Sequence, residues 1–425
     1  MEGKDRHLTA LSHLLKNTLA VVLAGGRGSR LQHLTENQSK PAVPFGGSYR
    51  LIDFPLSNCI NSGVRRVAVV TQYKAHTLIK HVQRGWGFLR SEFGEYVEVW
   101  PAQQQTHEES WYAGTADAVF QNLYTIREHG PDHVLVLGGD HAYKQDYSIM
   151  LAEHAARRAD LTVACTVVPR EEAKDFGVVT VDGEGRILDF QEKPKAAAAI
   201  PGDPQHALVS MGVYVFSGEC MDEQLKRDAL TAESSHDFGR DLLPFMVSGH
   251  RVMAHRFAES CVRAADEQEA YWRDVGTLDA YWRANLDLTA ATPALDLCDA
   301  EWPIWTCQQQ PAAARFLSGE GDQAGTVINS LVAAGCVISG AAIRGSLLFR
   351  DVDVRPHALV EDSVVLPGAQ IGEGCRIRRA IIDANCCLPE RTVVGEDPPR
   401  DGRMFHRTDS GVTVVSADML TGIAP

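Results

Sequence analysis

"LAGGRGSRLQHLTENQSKPAV", Leu23 to Val43, sets three glycines behind an apolar run and then spaces out two cations, Arg30 and Lys40. The run in front, Thr18-Leu19-Ala20-Val21-Val22-Leu23-Ala24, is short and apolar and reads as a buried strand. A glycine turn after a strand exposes backbone N–H groups, and nearby cations make the place attractive to phosphate. Neither common phosphate motif fits. Gly26-Arg27-Gly28-Ser29-Arg30-Leu31 ends in leucine where the dinucleotide fingerprint needs glycine, and no Gly-Lys pair closes a P-loop. Taken alone, the glycines suit an ordinary strand-turn equally well.

Working outward, apolar runs alternate with helical patterns from Thr18 to about Leu288. Arg66–Thr71, His133–Leu137 and Leu161–Val168 read as strands, with helical segments at Ala75–Gln83, Ala116–Glu128 and Tyr147–Arg158. Strands this apolar, alternating with helices, predict a mostly parallel sheet covered on both faces. Ligands of such sheets sit at the carboxyl ends of the strands, where the glycine loop and Gly138-Gly139-Asp140 fall. Residues 1–17 read as a tail, 18–290 as the first domain, and 291–325, rich in Pro, Gln and Gly, as a linker. Beyond it apolar residues recur every six positions, at Val337, Ile343 and Phe349, then at Leu359, Val365, Ile371 and Ile377, and after a slip at Leu388 and Val394. A sixfold period with Gly, Pro, Asp and Asn at the turns predicts a parallel β-helix over 326–425 rather than an antiparallel barrel.

The formal net charge of -14 argues against a nucleic-acid partner or an anionic membrane surface. Binding of a polyphosphate must then come from a local cluster of cations, aided by a metal ion. Two unit charges 4 Å apart interact by about 4 kcal/mol at an effective dielectric near 20, so a few well-placed cations override a diffuse background. The ten cysteines show no C-x-x-C and no framework spacing, which predicts reduced thiols in a cytoplasm. No apolar run approaches the length of a membrane span.

Two aspartates stand out. Asp140 follows two glycines at a strand's end, and Asp274 lies in the polar turn Trp272-Arg273-Asp274-Val275-Gly276-Thr277. A carboxylate pair can hold an octahedral Mg²⁺ with phosphate oxygens and water, although Asp274 alone suits a helix cap as well. Glu192-Lys193-Pro194 ends a strand with an acid–base pair that the proline turns; alone, it fits an exposed ion pair. Asp175-Phe176-Gly177 and Asp237-Phe238-Gly239 lack the other kinase motifs, and no H-E-x-x-H appears.

"LAGGRGSRL", "FPLSNCINSG" (Phe54–Gly63), "HVQRGW" (His81–Trp86), "PAQQ", "WYAGTADAV" (Trp111–Val119), "GDHAYKQDY" (Gly139–Tyr147), "EKP", "SSHDFGRD" (Ser234–Asp241) and "YWRDVGTLDAYW" (Tyr271–Trp282) occur in that order. With them the chain resembles the bacterial ADP-glucose pyrophosphorylases, or glucose-1-phosphate adenylyltransferases, from about Thr18 to Val415. The resemblance implies an α/β fold: a Rossmann-like nucleotidyltransferase domain with a mostly parallel sheet, followed by a C-terminal left-handed parallel β-helix. It implies a Mg²⁺-assisted reaction of ATP with α-D-glucose 1-phosphate to ADP-glucose and pyrophosphate, in a cytoplasmic homotetramer under a small-molecule effector. By family position Arg30 and Lys40 would hold the triphosphate, and Asp140 and Asp274 would hold Mg²⁺. Lys193 would grip the sugar phosphate, while Tyr112, Gly177, Glu192, Ser210 and Tyr214 would line the sugar side. Leu23, Gly25, Gly26, Gly28, Gln103, Gly114 and Thr115 would surround the nucleotide.

The departures from the family concern regulation. Glu36-Asn37-Gln38-Ser39 holds no cation where members activated by fructose 1,6-bisphosphate carry one, and Ser416–Pro425 holds none either. Pro44 and Ala384 stand where an AMP-type inhibitor site has an imidazole and an arginine, although Arg50 remains. Arg400, Arg403, His406 and Arg407 suit an effector site or a solvated basic edge equally. Catalysis with an altered response to both effectors is the expectation.

Overall fold

The computed structural model describes residues 2–26, 28–102, 111–263, 270–318 and 324–421. The chain forms two compact units. The first comprises 1–26, 54–139 and 143–262; the second comprises 27–53, 140–142 and 263–425.

The first unit is built on a nine-stranded sheet. Its strands are β1 (Thr18–Leu23), β2 (Arg66–Thr71), β3 (Tyr96–Pro101), β4 (His133–Gly138), β5 (Leu161–Pro169), β6 (Gly177–Val181), β7 (Ile187–Glu192), β8 (His206–Ser217) and β9 (Val252–Arg256). The order is β7-β6-β8-β4-β1-β2-β3, with β5 pairing both β8 and β9. The strands β3, β2, β1 and β4 run parallel, as the apolar runs predict, and β9 is parallel to β5. The long strand β8 joins antiparallel to β4, β5 and β6.

Leu19, Val21, Val134 and Val136 pack with Val119, Met221, Leu225 and Met246 from covering helices, while Ala20, Val22, Leu135 and Leu137 are equally buried. Burial on both faces explains why β1 and β4 are apolar throughout rather than alternating. Each buried Leu or Val among them contributes about 1.5–3 kcal/mol on leaving water. At the carboxyl edge Leu23 pairs with Gly138, and Gly139 donates its N–H to the Leu23 carbonyl at 3.0 Å. The glycine loop therefore leaves the sheet beside Gly138-Gly139. Residues 2–16, expected as part of a tail, form a helix (Glu2–Lys16); the missed signal is the spacing of Leu11, Leu14 and Leu15, all half-buried.

The second unit contains the parallel β-helix. Three parallel sheets stack coil on coil, and their inward residues form columns. Ile338, Val354, Ile371 and Leu388 make one column, Ile343, Val360, Ile377 and Val394 the second, and Leu348, Val365, Ile382 and Val415 the third. The first coil already includes strand Arg315–Leu317, paired with Val337–Ser339, inside the segment expected to be a linker. The register also corrects the six-residue series: Ile338, Leu348 and Val360 point inward where Val337, Phe349 and Leu359 were expected. From Thr326 to Val394 a coil takes sixteen or seventeen residues rather than eighteen, so a strict sixfold count drifts off the inward face. The corners repeat as well. Columns such as Gly335, Asp351, Gly368 and Asn385 all take positive φ, a left-handed bend that Gly, Asn and Asp tolerate best.

Candidate active site

The second unit gathers the charged candidates. Lys40 opens the single turn Lys40–Ala42 and is 6 % exposed. Its Nζ lies 2.8 Å from Asp140 Oδ2 and 2.8 Å from Asp274 Oδ1. Asp274 ends the strand Trp272–Asp274, which pairs with His141–Tyr143 and so brings the segment after Asp140 alongside. His141 Nε2 stands 3.5 Å from Asp140 Oδ1 and 3.8 Å from Asp274 Oδ1, with its ring edge-on to Trp272. Its Nδ1 is buried without a hydrogen-bond partner among the described residues.

Burial alone would push the Asp140 carboxyl up, but Lys40 and His141 more than offset it and hold the group at about 2. Burial likewise opposes the Lys40 charge, and Asp140 and Asp274 reverse the effect, raising its pKa. Arg30, in the one-sided turn Ser29–Thr35, is exposed. A Cβ on Gly276 would lie 3.0 Å from both Arg30 Nη2 and Asp274 Oδ2, so the guanidinium and the carboxylate flank that glycine. Gly28 begins the Arg30 turn with φ +63°, and a Cβ there would stand 2.9 Å from the Lys40 Cβ. The third glycine of the loop is thus required by the placement of Lys40, independent of any nucleotide.

Asp140, His141 and Asp274 offer ligand atoms that all lie within 4.8 Å of one another. Lys40 holds one oxygen of each carboxylate, leaving Asp140 Oδ1 and Asp274 Oδ2 clear of it. Two hard oxygen donors on fixed backbone fit a divalent cation that keeps most of its water.

The first unit gathers the sugar-side candidates. Glu192 ends β7 opposite Gly177 of β6. A Cβ on Gly177 would fall 2.4 Å from Phe190 Cζ and 3.1 Å from Glu192 Oε2, so only glycine leaves this room. Lys193 follows with φ +48°, donates its N–H to the Phe176 carbonyl, and sets Nζ 3.2 Å from Glu192 Oε1 while remaining half-exposed. Ser210 and Tyr214 flank a bulge of β8 at Gly212, with Ser210 Oγ 3.5 Å from the Tyr214 hydroxyl. The Tyr214 ring packs on Phe238, and burial raises its phenol pKa. The Tyr112 hydroxyl accepts from Asn122 Nδ2 at 3.1 Å.

Leu23 and Gly25 sit at the sheet edge, and a Cβ on Gly25 would meet Gln72 at 3.1 Å; Gly26 is exposed, and among the described residues nothing lies within 4 Å of a Cβ placed there. Gln103 lies outside the described residues. Gly114 and Thr115 start the helix Thr115–Phe120 and are fastened to the segment Ser235–Asp237. Thr115 Oγ1 donates to Asp237 Oδ2 at 3.0 Å, and Ala116 donates its N–H to the His236 carbonyl at 2.8 Å. Of the effector candidates, Arg50 is engaged with the Ala42 carbonyl and Gln38. His406 stacks edge-on against His33, 5.9 Å between ring centres, while Arg400 and Arg403 lie on the helix Pro398–Met404 and Arg407 follows on an exposed strand.

Residue-by-residue reading missed two groups. His141 joins the carboxylate pair, and its signal was adjacency to Asp140. Asp237 and Gly239, dismissed with the kinase motif, lie against Glu192: Asp237 Oδ1 caps Gly239 and Arg240, and a Cβ on Gly239 would stand 2.6 Å from Glu192 Oε2.

A nucleotidyl transferase family model matches residues 19–291, and a GlmU-like C-terminal hexapeptide model matches 312–415. The glucose-1-phosphate adenylyltransferase of Rhodospirillum rubrum is 57% identical over 410 residues, covering 96% of this chain and 97% of that protein. The enzymes of the same name from Dechloromonas aromatica and Nitrosospira multiformis are 54% and 53% identical, covering 96% and 97% of this chain and 93% and 97% of their own. The nucleotidyltransferase sheet, the parallel coil and these relatives agree: the chain belongs to the glucose-1-phosphate adenylyltransferase family.

Proposed function

We propose that the protein transfers the adenylyl group of ATP to α-D-glucose 1-phosphate, giving ADP-glucose and pyrophosphate for α-glucan synthesis. The observation that carries this reading is the convergence of Lys40 on Asp140 and Asp274, with Arg30 beside Asp274. Phosphoryl transfer of this kind needs positioning and charge stabilisation more than proton transfer. Lys40 and Arg30 hold the triphosphate and the departing pyrophosphate. Asp140 and Asp274 would hold Mg²⁺, which would supply charge neutralisation at the phosphate oxygens. The N–H groups around Gly25 and Gly26 approach the nucleotide, and Thr115 on its latched turn helps to seat it. Lys193 takes the phosphate of the sugar, Glu192 accepts from its hydroxyls, and Tyr112, Ser210 and Tyr214 line that side. With reduced thiols, the enzyme acts in the cytoplasm, as a homotetramer.

Pyrophosphate release from purified protein with Mg²⁺, ATP and glucose 1-phosphate tests the reading. Turnover that falls at least tenfold with other nucleoside triphosphates or sugar phosphates supports it. No turnover indicates a regulatory subunit, and turnover with another base or sugar indicates a different specificity.

Control by fructose 1,6-bisphosphate and AMP is weak or altered. Support comes from the uncharged interval Asn37–Ser39, from Pro44 and Ala384, and from Arg50, whose guanidinium is spent on Gln38 and Ala42. A phosphorylated or carboxylated effector at His406 would bear on His33, between Arg30 and Lys40. Saturable activation by micromolar fructose 1,6-bisphosphate would overturn this part.

A further inference from the structure

At the edge of the sheet opposite the glycine loop, three side chains of different elements face one point. Asp160 immediately precedes β5, Cys220 lies in the first turn of the helix Gly218–Ala229, and His250 follows the helix Leu243–Gly249. The edge is fixed by register: Ser217, just before the helix Gly218–Ala229, pairs with His133 at the start of β4, while Gly138 stands at the other end of the same strand. The three ligand atoms lie within 4.8 Å of one another. His250 Nδ1 is 3.8 Å from Cys220 Sγ and 3.7 Å from Asp160 Oδ2.

Those distances are too long for a hydrogen bond to the carboxylate and make at best a weak one to the thiol. Both neighbours also meet the same ring nitrogen, so the imidazole cannot relay a proton between them as it would in a nucleophile–base–acid chain. The backbone builds the arrangement: Asp160 Oδ2 accepts from the Arg251 N–H at 2.8 Å, Asp160 donates its own N–H to the Arg251 carbonyl, and its carbonyl accepts from Ser217. Cys220 is 8 % exposed, whereas the Asp160 and His250 side chains are 40 % and 24 % exposed, which leaves an approach from solvent.

We propose that Asp160, Cys220 and His250 form a binding site for a borderline-soft divalent cation of the zinc class, with water as the fourth ligand. Tetrahedral zinc, with bonds of about 2.3 Å to sulfur and about 2.0–2.1 Å to nitrogen and oxygen, sets neighbouring ligand atoms about 3.3–3.6 Å apart. The two separations from His250 Nδ1 need to close by only a few tenths of an ångström, and the Asp160 and Cys220 ligand atoms lie within 4.8 Å of each other. Sulfur and imidazole donors separate this site from the carboxylate pair of Asp140 and Asp274, which is suited to a harder ion. Without metal the Cys220 thiol is protonated, pushed up to about 12 by burial and then by Asp160 and Glu223. Binding replaces the S–H bond by a sulfur–metal bond and releases that one proton to solvent. The ion would tie the start of β5 to two helices.

Cobalt(II) titration of the untagged full chain, stripped with chelator, tests the site. One equivalent is expected to give a sulfur-to-cobalt charge-transfer band with tetrahedral visible bands, both erased by equimolar Zn²⁺. Cys220→Ser is expected to lose the near-ultraviolet band, and His250→Gln to weaken Co²⁺ binding at least tenfold, both with normal ADP-glucose synthesis. Zn²⁺ is expected to raise the Tm of the parent and not of either variant. The site containing Asp140, His141 and Asp274 has no sulfur and cannot produce the band. Absence of the band with excess Co²⁺, or its persistence in Cys220→Ser, overturns the proposal; His250→Gln decides the matter if Cys220→Ser does not fold.

Discussion

Lys40 and Asp274 stand 234 positions apart in the chain and 2.8 Å apart in space. The contact joins the end of the glycine-loop segment to a turn that, read alone, is an unremarkable helix start. Asp274→Asn, Asp140→Ala and Lys40→Ala should each lower kcat on the order of 100–1,000-fold, the range for losing one stabilising group at developing charge. Steady-state pyrophosphate release with unchanged circular dichroism checks this, and losses under tenfold would remove these residues from the chemistry.

The same cluster makes a prediction about pH. The Asp140 carboxyl sits at about 2 in the fold against an ordinary 3.8, so its ionisation stabilises the native state above the ordinary value. That contribution should fade as the pH falls from about 4 through about 2. The raised Lys40 contributes at all pH values below its ordinary 10.5 and fades only as the pH rises past its folded value. Urea denaturation of the parent and Asp140→Asn between pH 6 and pH 2.5 should show a stability difference that shrinks on acidification. A constant difference would contradict the depressed carboxyl.

Lys193 is held by its left-handed backbone and by Glu192 rather than by burial. Lys193→Ala should therefore leave Tm nearly unchanged and cut kcat/KM for glucose 1-phosphate on the order of 100–1,000-fold. The KM for ATP should move by less than about threefold, since the defect lies with the sugar phosphate. Equal damage to both substrates would speak against the assignment.

Two glycines should behave in opposite ways. A Cβ on Gly114 would lie 2.2 Å from the His236 carbonyl oxygen and 2.5 Å from that of Ser235, both backbone atoms that cannot step aside cheaply. Gly114→Ala should cost about 1–3 kcal/mol, read as a fall in the urea midpoint. Gly26 has open space around its missing Cβ, so Gly26→Ala should change stability by less than about 0.5 kcal/mol. If Gly26 meets the nucleotide, the KM for ATP should nonetheless rise several-fold.

The apolar runs of β1, β2 and β4 were legible because burial on both faces leaves an unmistakable composition, and the coil because its turns repeat. What escaped is physical in origin. The antiparallel entry of β8 depends on tertiary pairing that no local pattern encodes. The inward residues Ile338, Leu348 and Val360 sit one place from the expected ones because each of these coils is a residue or two shorter than a sixfold count. At the site, Asp140 and Lys40 could be nominated by type, but their contact with each other and with His141 needs the folded chain. Gly28 looked like a nucleotide residue and has a sufficient reason to be glycine in Lys40 alone.

The family models leave a gap between residues 291 and 312, yet the described residues on both sides of it belong to one compact unit, 263–425. The helix Leu278–Asp287, four residues beyond Asp274, is bound into the coil: Trp282 Nε1 donates to the Asp362 carbonyl at 2.8 Å, Asp279 accepts from Thr408 at 2.7 Å, and Arg379 lies over the Trp282 ring. The coil is thus not a detachable cargo but part of the scaffold behind Asp274. A gene cut at that boundary would not yield a minimal enzyme, and swapping coils between relatives should succeed only when Trp282 and Asp279 travel with them.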